Sequence, residues 1–197
     1  MTLAQSKPLD ALAPLRWSRS EYYQLAEEGY FQGKRVMLID GEIIQMPGQK
    51  EPHAWAITVL NRILIQRFDP EYVVRCQLPL NISDFSEPEP DFAIVKGPLE
   101  SWRGKAHPTL AEWIIEVSDT TLVFDQTVKQ SLYAAHGIPE YWIVNLVDRR
   151  CEVYRKPIED HSMRFGWRYE QLNVFGAEHS VSPLLGSAVI NVGEILP

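Results

Sequence analysis

The chain has 197 residues, 45% of them hydrophobic and 23% charged, proportions ordinary for a globular protein. No apolar run approaches the roughly 20 residues that cross a bilayer, which argues against a membrane-spanning protein. A net charge of -7 argues against nucleic-acid binding by bulk positive charge, so any such role needs a local basic surface or metal ions.

The opening MTLAQSKPLDALAPL has no basic region ahead of an apolar block, which speaks against a signal peptide. Residues 1–16 read as a flexible leader to one domain over 17–197. WSRSEYYQLAEEGY predicts a helix, with Ser18 as N-cap, Glu21 at the capping-box position and Gly29 near the stop. RVMLIDGEIIQMP carries two short apolar runs joined at Asp40-Gly41, the signal of a tight hairpin. From His53 to Phe68, residues Ala56, Ile57, Leu60, Ile63 and Leu64 recur at helical spacing, and Pro70 ends the element. YVVRCQLPLNI is β-rich, and PDFAIV makes a second strand just after Pro90. A loop punctuated by Pro98, Gly104 and Pro108 leads to EWIIEVSD, a nearly continuous apolar run that reads as a buried central strand.

Residues from Asp119 or Thr120 to Ala135 predict a helix stopped by Gly137, with Pro139 just beyond. EYWIVN and CEVYRKP predict two further strands, a hairpin around Asp148-Arg149. Beyond Ile158 the tail is less regular, with RYEQLNVF and VSPLLGSAVINV as short strands or turns along one edge. This order points to an α/β fold with a mixed central sheet flanked by helices. Cys76 and Cys151 form neither a disulfide framework nor a metal-ligand spacing, and fit a reduced, cytoplasmic thiol pair.

Glu116 is out of place in its strand, because a carboxylate between Ile115 and Val117 must be paired, bind a metal or change its pKa. Strand alternation puts Ile114, Glu116 and Ser118 on one face and Trp113, Ile115 and Val117 on the other. If the strand after Asp91 lies alongside, both carboxylates converge near strand ends, a geometry that suits Mg²⁺. The plainer reading has Asp91 capping a turn and Glu116 paired with an Arg or Lys. Asp125, Lys129 and Tyr133 are spaced by four along the next helix; the pair Asp125–Lys129 is either a common surface ion pair or a lysine aimed at the same cleft. Glu42, after the Asp40-Gly41 turn, is a turn-flanking surface acid or a third acidic group. His53 is a candidate base, although a lone His near a helix start is more often solvated or a cap. The five His show no zinc spacing, and no Gly-rich phosphate loop or nucleophile elbow is present. Trp113, Tyr141 and Trp142 read as core.

LIDGEIIQM, SEPEPDFAIV, WIIEVSDTTLVFDQTVKQSLYAAHGIPEYWIVN and VYRKP together resemble the Uma2 (Uma-two) family of restriction-endonuclease-like proteins, within the PD-(D/E)xK nuclease superfamily. The resemblance covers roughly residues 18–156 and implies a restriction-endonuclease-like core. It implies Asp91 and Glu116 as ligands of Mg²⁺, with Mn²⁺ as a substitute, and hydrolysis of DNA phosphodiester bonds, RNA being an open variant. The superfamily's usual lysine lies two residues after the strand acid, where this chain has Ser118; Lys129 on the following helix is the implied replacement, with Asp125 nearby. Glu42 resembles the extra acid that some members bring to the site, and Gln77 is a candidate for its edge. In the implied chemistry, Mg²⁺ on Asp91 and Glu116, with the Val117 carbonyl, polarises the phosphoryl oxygen while Lys129 orients water or stabilises charge. Superfamily practice adds a homodimer as an expectation. A non-catalytic member of the same fold that binds nucleic acid or protein is the alternative, motivated by Ser118 and the net charge. The two readings divide on whether the Lys129 amine reaches both carboxylates.

Overall fold

The computed structural model describes residues 13–197. Most of the expected leader, residues 1–12, lies outside the described residues. Residues 13–16 have no helix or strand and are exposed, but Arg16 donates to the Asp40 carbonyl at 3.0 Å and pairs with the Asp40 carboxylate.

Helix α1 (Arg19–Glu27) starts at the expected capping box: Ser18 caps it, and the Glu21 side chain accepts from the Ser18 backbone N–H at 2.8 Å. Strands β1 (Val36–Ile39) and β2 (Glu42–Gln45) form the expected hairpin, antiparallel from Ile39–Glu42 to Val36–Gln45. Gly41 turns it at φ 76°, where an added Cβ would sit 2.6 Å from the Arg16 Cβ, so both the conformation and the close approach of the chain require glycine. Helix α2 (Glu51–Phe68) begins two residues earlier than the periodicity suggests, because Pro52 is accommodated in its first turn.

The central sheet has six strands in the order β3-β4-β5-β6-β7-β8. These are Tyr72–Cys76, Phe92–Lys96, Trp113–Ser118, Glu140–Asn145, Arg150–Glu159 and Trp167–Gly176. Every neighbouring pair is antiparallel except β5–β6, which is parallel. That one parallel step needs a crossover, and helix α3 (residues 122–135) supplies it. The tail is more regular than its sequence suggests: β7 and β8 each run ten residues as a long hairpin. Asp160 closes its turn by accepting from Ser162 and Arg168.

Side-chain alternation divides the core as the sequence predicts. Trp113, Ile115 and Val117 of β5 join Trp142 and Val144 of β6 against Ala56, Leu60 and Leu64 of α2. The C-terminal segment, with a short helix Val192–Ile195, completes that layer. Ile114, Tyr141 and Ile143 face the other way, toward Tyr133 and Ala134 of α3. Central β5 is buried along its whole length, so its one carboxylate, Glu116, is carried into the layer under α3. Among the described residues, no helix is long and apolar enough to cross a membrane.

Candidate active site

The register of β4 on β5 creates the site. Phe92 pairs with Ile115, so in an antiparallel ladder the next residues outward, Asp91 and Glu116, stand opposite each other. Asp91 lies just before β4, following Pro90, where the ladder ends and its side chain is free to fold back. Its Oδ2 accepts from the Val117 backbone N–H at 2.8 Å, while its own N–H donates to Glu116 Oε2 at 3.3 Å. Each strand end is thereby tied to the other's carboxylate.

Lys129 comes from α3 to one of the two carboxylates: it pairs with Glu116 and with Asp125 of its own helix, and makes no ion pair with Asp91. Its ammonium lies 2.9 Å from Glu116 Oε1 and 3.3 Å from Asp125 Oδ1, with only 8% of the side chain exposed. The helix is locally widened: residues Asp125–Lys129 form a π turn in which the Gln130 N–H reaches the Asp125 carbonyl. Tyr141 donates to that same carbonyl at 3.2 Å, so a side chain from β6 shares in satisfying the widened turn. Tyr133, one turn on, donates its hydroxyl to Glu116 Oε1 at 2.9 Å.

Ser118 has a role of its own. Its hydroxyl and that of Thr121 both donate to Asp125 Oδ2, each at 2.7 Å. Asp125 Oδ1 receives no hydrogen bond and faces only the Lys129 ammonium. Ser118 thus steadies the acid that holds the lysine arriving from the helix.

Two residues weighed lightly from the sequence sit in the cluster. His53, on the first turn of α2, places Nε2 3.3 Å from Asp91 Oδ2, with Nδ1 buried and unpartnered. A solvated or capping histidine is therefore not what the fold makes of it. Gln77 donates to Asp91 Oδ1 at 3.1 Å. It lies just past the end of β3 at φ 52°, so it reaches Asp91 from a turn, and the expected strand does not continue through it. Glu42 is not brought into the cluster: it stays on the surface, accepting from Arg164 Nη2 at 3.0 Å. Arg164 also pairs with Asp40, while Ile44 and Gln45, further along β2, line the cleft.

Three carboxyl groups crowd around one ammonium, and the cluster relieves the crowding by holding a proton on one of them, Glu116, at neutral pH. Burial pushes the Glu116 carboxyl up to about 8, with Lys129 opposing and Asp125 and Asp91 adding to the rise. Burial alone would discharge Lys129, but Glu116, Asp125 and Asp91 more than offset it and hold its ammonium charged. Asp91 also resists ionisation through burial, yet the hydrogen bond and charge of His53, with Lys129 and the Val117 N–H, keep its carboxyl below the usual range. His53 is disfavoured as a cation by burial, and its bond to Asp91 reverses that and raises it.

Asp91, Glu116 and Lys129 line one cavity of about 140 Å³, together with His53, Thr121 and the wall formed by β1, β2 and the segment 46–50. Among the described residues, no group of three or more His, Cys, Asp or Glu side chains is arranged to hold a metal ion. A two-carboxylate site nevertheless fits Mg²⁺, which takes one or two protein carboxylates and keeps several waters. Asp91 and Glu116 each accept three protein contacts of roughly four lone-pair directions, which leaves a direction on each for a cation, one that at Glu116 would displace the proton held there.

Residues 19–193 match the family Uma2, described as "Putative restriction endonuclease". Among solved structures, one described as a putative nuclease belonging to DUF820 from Anabaena variabilis is 16% identical, with a TM-score of 0.61 over 92% of this chain and 97% of that one. That likeness is one of fold. The type IIG restriction endonuclease BpuSI is 19% identical over 53% of this chain and 11% of its own, at a TM-score of 0.35, too loose a likeness to bear on the site. No curated protein sequence matches the chain. With the match running from α1 through the six-stranded sheet to the C-terminal helix, the chain belongs to the Uma2 family of putative restriction endonucleases.

Proposed function

We propose that the protein is a Mg²⁺-dependent endonuclease of the PD-(D/E)xK type that hydrolyses phosphodiester bonds of DNA. The observation that carries this reading is the Lys129 ammonium, delivered by a π turn to within 2.9 Å of Glu116, with Asp91 opposite Glu116 across the strand ends. A surface ion pair needs neither the burial nor the widened helix.

Asp91 and Glu116 would hold the metal, which supplies Lewis-acid polarisation of the phosphoryl oxygen and acidifies bound water. Lys129 supplies a fixed positive charge where negative charge grows on the phosphoryl group, and its burial makes that charge effective. Asp125, held by Ser118 and Thr121, keeps the ammonium from swinging away. Tyr133 helps fix the Glu116 carboxyl through Oε1, the oxygen that Lys129 also contacts, and Gln77 holds Asp91 through Oδ1. His53 holds Asp91 against the β4 edge through Oδ2.

The test is conversion of supercoiled plasmid to nicked and linear forms by purified protein with Mg²⁺, beside EDTA and Glu116→Ala controls. Nicking that needs both the metal and Glu116 is the expected result. Identical plasmid profiles in all three reactions, over a range of DNA substrates, would overturn the reading in favour of a non-catalytic binding protein.

A further inference from the structure

We propose that the cavity beside the carboxylate pair seats one unstacked nucleobase, so that the substrate is single-stranded or locally unpaired nucleic acid and not uninterrupted duplex. This inference rests on the endonuclease reading and narrows its substrate.

The first ground is depth. Glu116 is 3% and Asp91 14% exposed at the side chain, so a phosphodiester must descend into the cavity to meet them. At about 140 Å³ the space holds on the order of ten waters. That is room for one base-sized group and not for the side of a duplex, whose phosphates lie on the outside of a rigid rod and whose bases are stacked within it.

The second ground is the chemistry of the wall. Met37, Ile44, Met46, Pro47 and Phe124 line the same cavity as the carboxylates. A phosphate gains nothing from such a surface. The apolar face of the base attached to it does, as in single-strand binding sites where bases leave the stack to lie against side chains. Gln45 and Gln49 also line the cavity and carry amides able to meet a base edge.

The third ground is charge at the rim. Arg35 and Lys50 line the mouth, with side chains 45% and 64% exposed, paired to Glu89 at 3.2 Å and Asp119 at 3.5 Å. Exposed ion pairs of this kind contribute little and can be exchanged for backbone phosphates on either side of the seated nucleotide. Glu89 and Asp119 line the same mouth, so the rim is charge-balanced in the free protein and offers its two cations only to a strand whose phosphates displace those acids.

The experiment compares four end-labelled substrates of one sequence with the full chain and Mg²⁺: single-stranded DNA, single-stranded RNA, DNA duplex, and duplex with a central unpaired stretch. Expected is cleavage of at least one single strand about tenfold or more faster than duplex, the range set by loss of one base-stacking contact, with cuts in the fourth substrate confined to its unpaired stretch. Which single strand is cut identifies the sugar. Duplex cut as fast as single strands overturns the inference while leaving the endonuclease reading intact. If nothing is cut, fluorescence anisotropy of the same four ligands decides: about tenfold tighter binding of a single strand than of duplex supports it, and equal or weaker binding overturns it. Met46→Trp, which fills the cavity from its partly exposed wall, is expected to abolish the single-strand preference with an unchanged unfolding midpoint; a folded variant with the preference intact overturns the inference. The wild-type comparison stands without the variant.

Discussion

Replacing Glu116 with glutamine should remove most of the pH dependence of stability that the metal-free protein shows between pH 4.5 and about 8. The carboxyl is raised in the folded chain, so across that window the folded chain keeps a proton the unfolded chain has released. Its contribution is fully present below pH 4.5 and is lost as pH rises through about 8. From 4.5 to about 8, at about 1.36 kcal/mol per pH unit, the loss is on the order of 5 kcal/mol. That is a large fraction of the ~5–15 kcal/mol by which a domain is stable. Lys129 does not interfere, because its raised pKa moves its own loss above pH 10.5. Asp91, lowered from 3.8, loses its contribution only below that pH. His53 adds a fall of the same sign above pH 6.5, which the glutamine variant should retain. The assay is urea unfolding followed by tryptophan fluorescence at a series of pH values in EDTA. Glutamine mimics the protonated acid, so the variant should match the wild type near pH 4.5 and be the more stable protein at pH 8. Parallel profiles for the two proteins would refute the assignment of the retained proton to Glu116. Added Mg²⁺ should raise wild-type stability most at the alkaline end and leave the variant nearly unmoved.

Lys129→Met keeps most of the side-chain volume but leaves three carboxyl groups without their ammonium; plasmid nicking should disappear and urea unfolding should show a loss of about 3–5 kcal/mol, the usual result of breaking a buried pair from one side. A variant as stable as the parent would mean the ammonium is not held as described. Ser118→Ala removes one of two hydroxyl donors to Asp125 and should cost about 1.5–3 kcal/mol, with nicking slowed because Asp125 is held less firmly. Unchanged stability and rate together would deny Ser118 that role. Glu42→Ala should leave nicking unaltered and stability within about 0.5 kcal/mol, since the residue is exposed and paired with Arg164; abolished cleavage would return Glu42 to the site.

Much of this arrangement could be read from residue order because strand alternation is a strong rule. Glu116 is legible as a buried acid because its neighbours are apolar on both sides, and the face it shares with Ser118 follows from the period of two. The helix that supplies Lys129 is legible from its spacing, and so are the Ser18 capping box and the Asp40-Gly41 hairpin. The π turn is not, because nothing local distinguishes five residues that widen the helix from five that do not; Tyr141, on another strand, shares in the hydrogen bonding. His53 was hidden for a related reason. A histidine on the first turn of a helix looks solvated until the fold shows that Asp91 fills the space in front of it. Glu42 runs in the opposite direction: its DGE setting fits the family pattern, but its carboxylate pairs at the surface with Arg164, 122 residues away in the chain.

Delivering the lysine from α3 changes which part of the molecule controls it. A lysine on β5 would move with the two carboxylates. On α3 it depends also on the hairpin of β7 and β8, to which the helix is fastened in addition to β5 and β6: Gln126 donates to both oxygens of Glu152 at 3.1 and 2.9 Å, and Ser131 donates to the Trp167 carbonyl at 2.8 Å. Opening of that edge, a sub-global event of lower free energy than unfolding, would therefore cost the helix part of its anchorage and loosen the ammonium, while Asp91 and Glu116 stayed in register on β4 and β5.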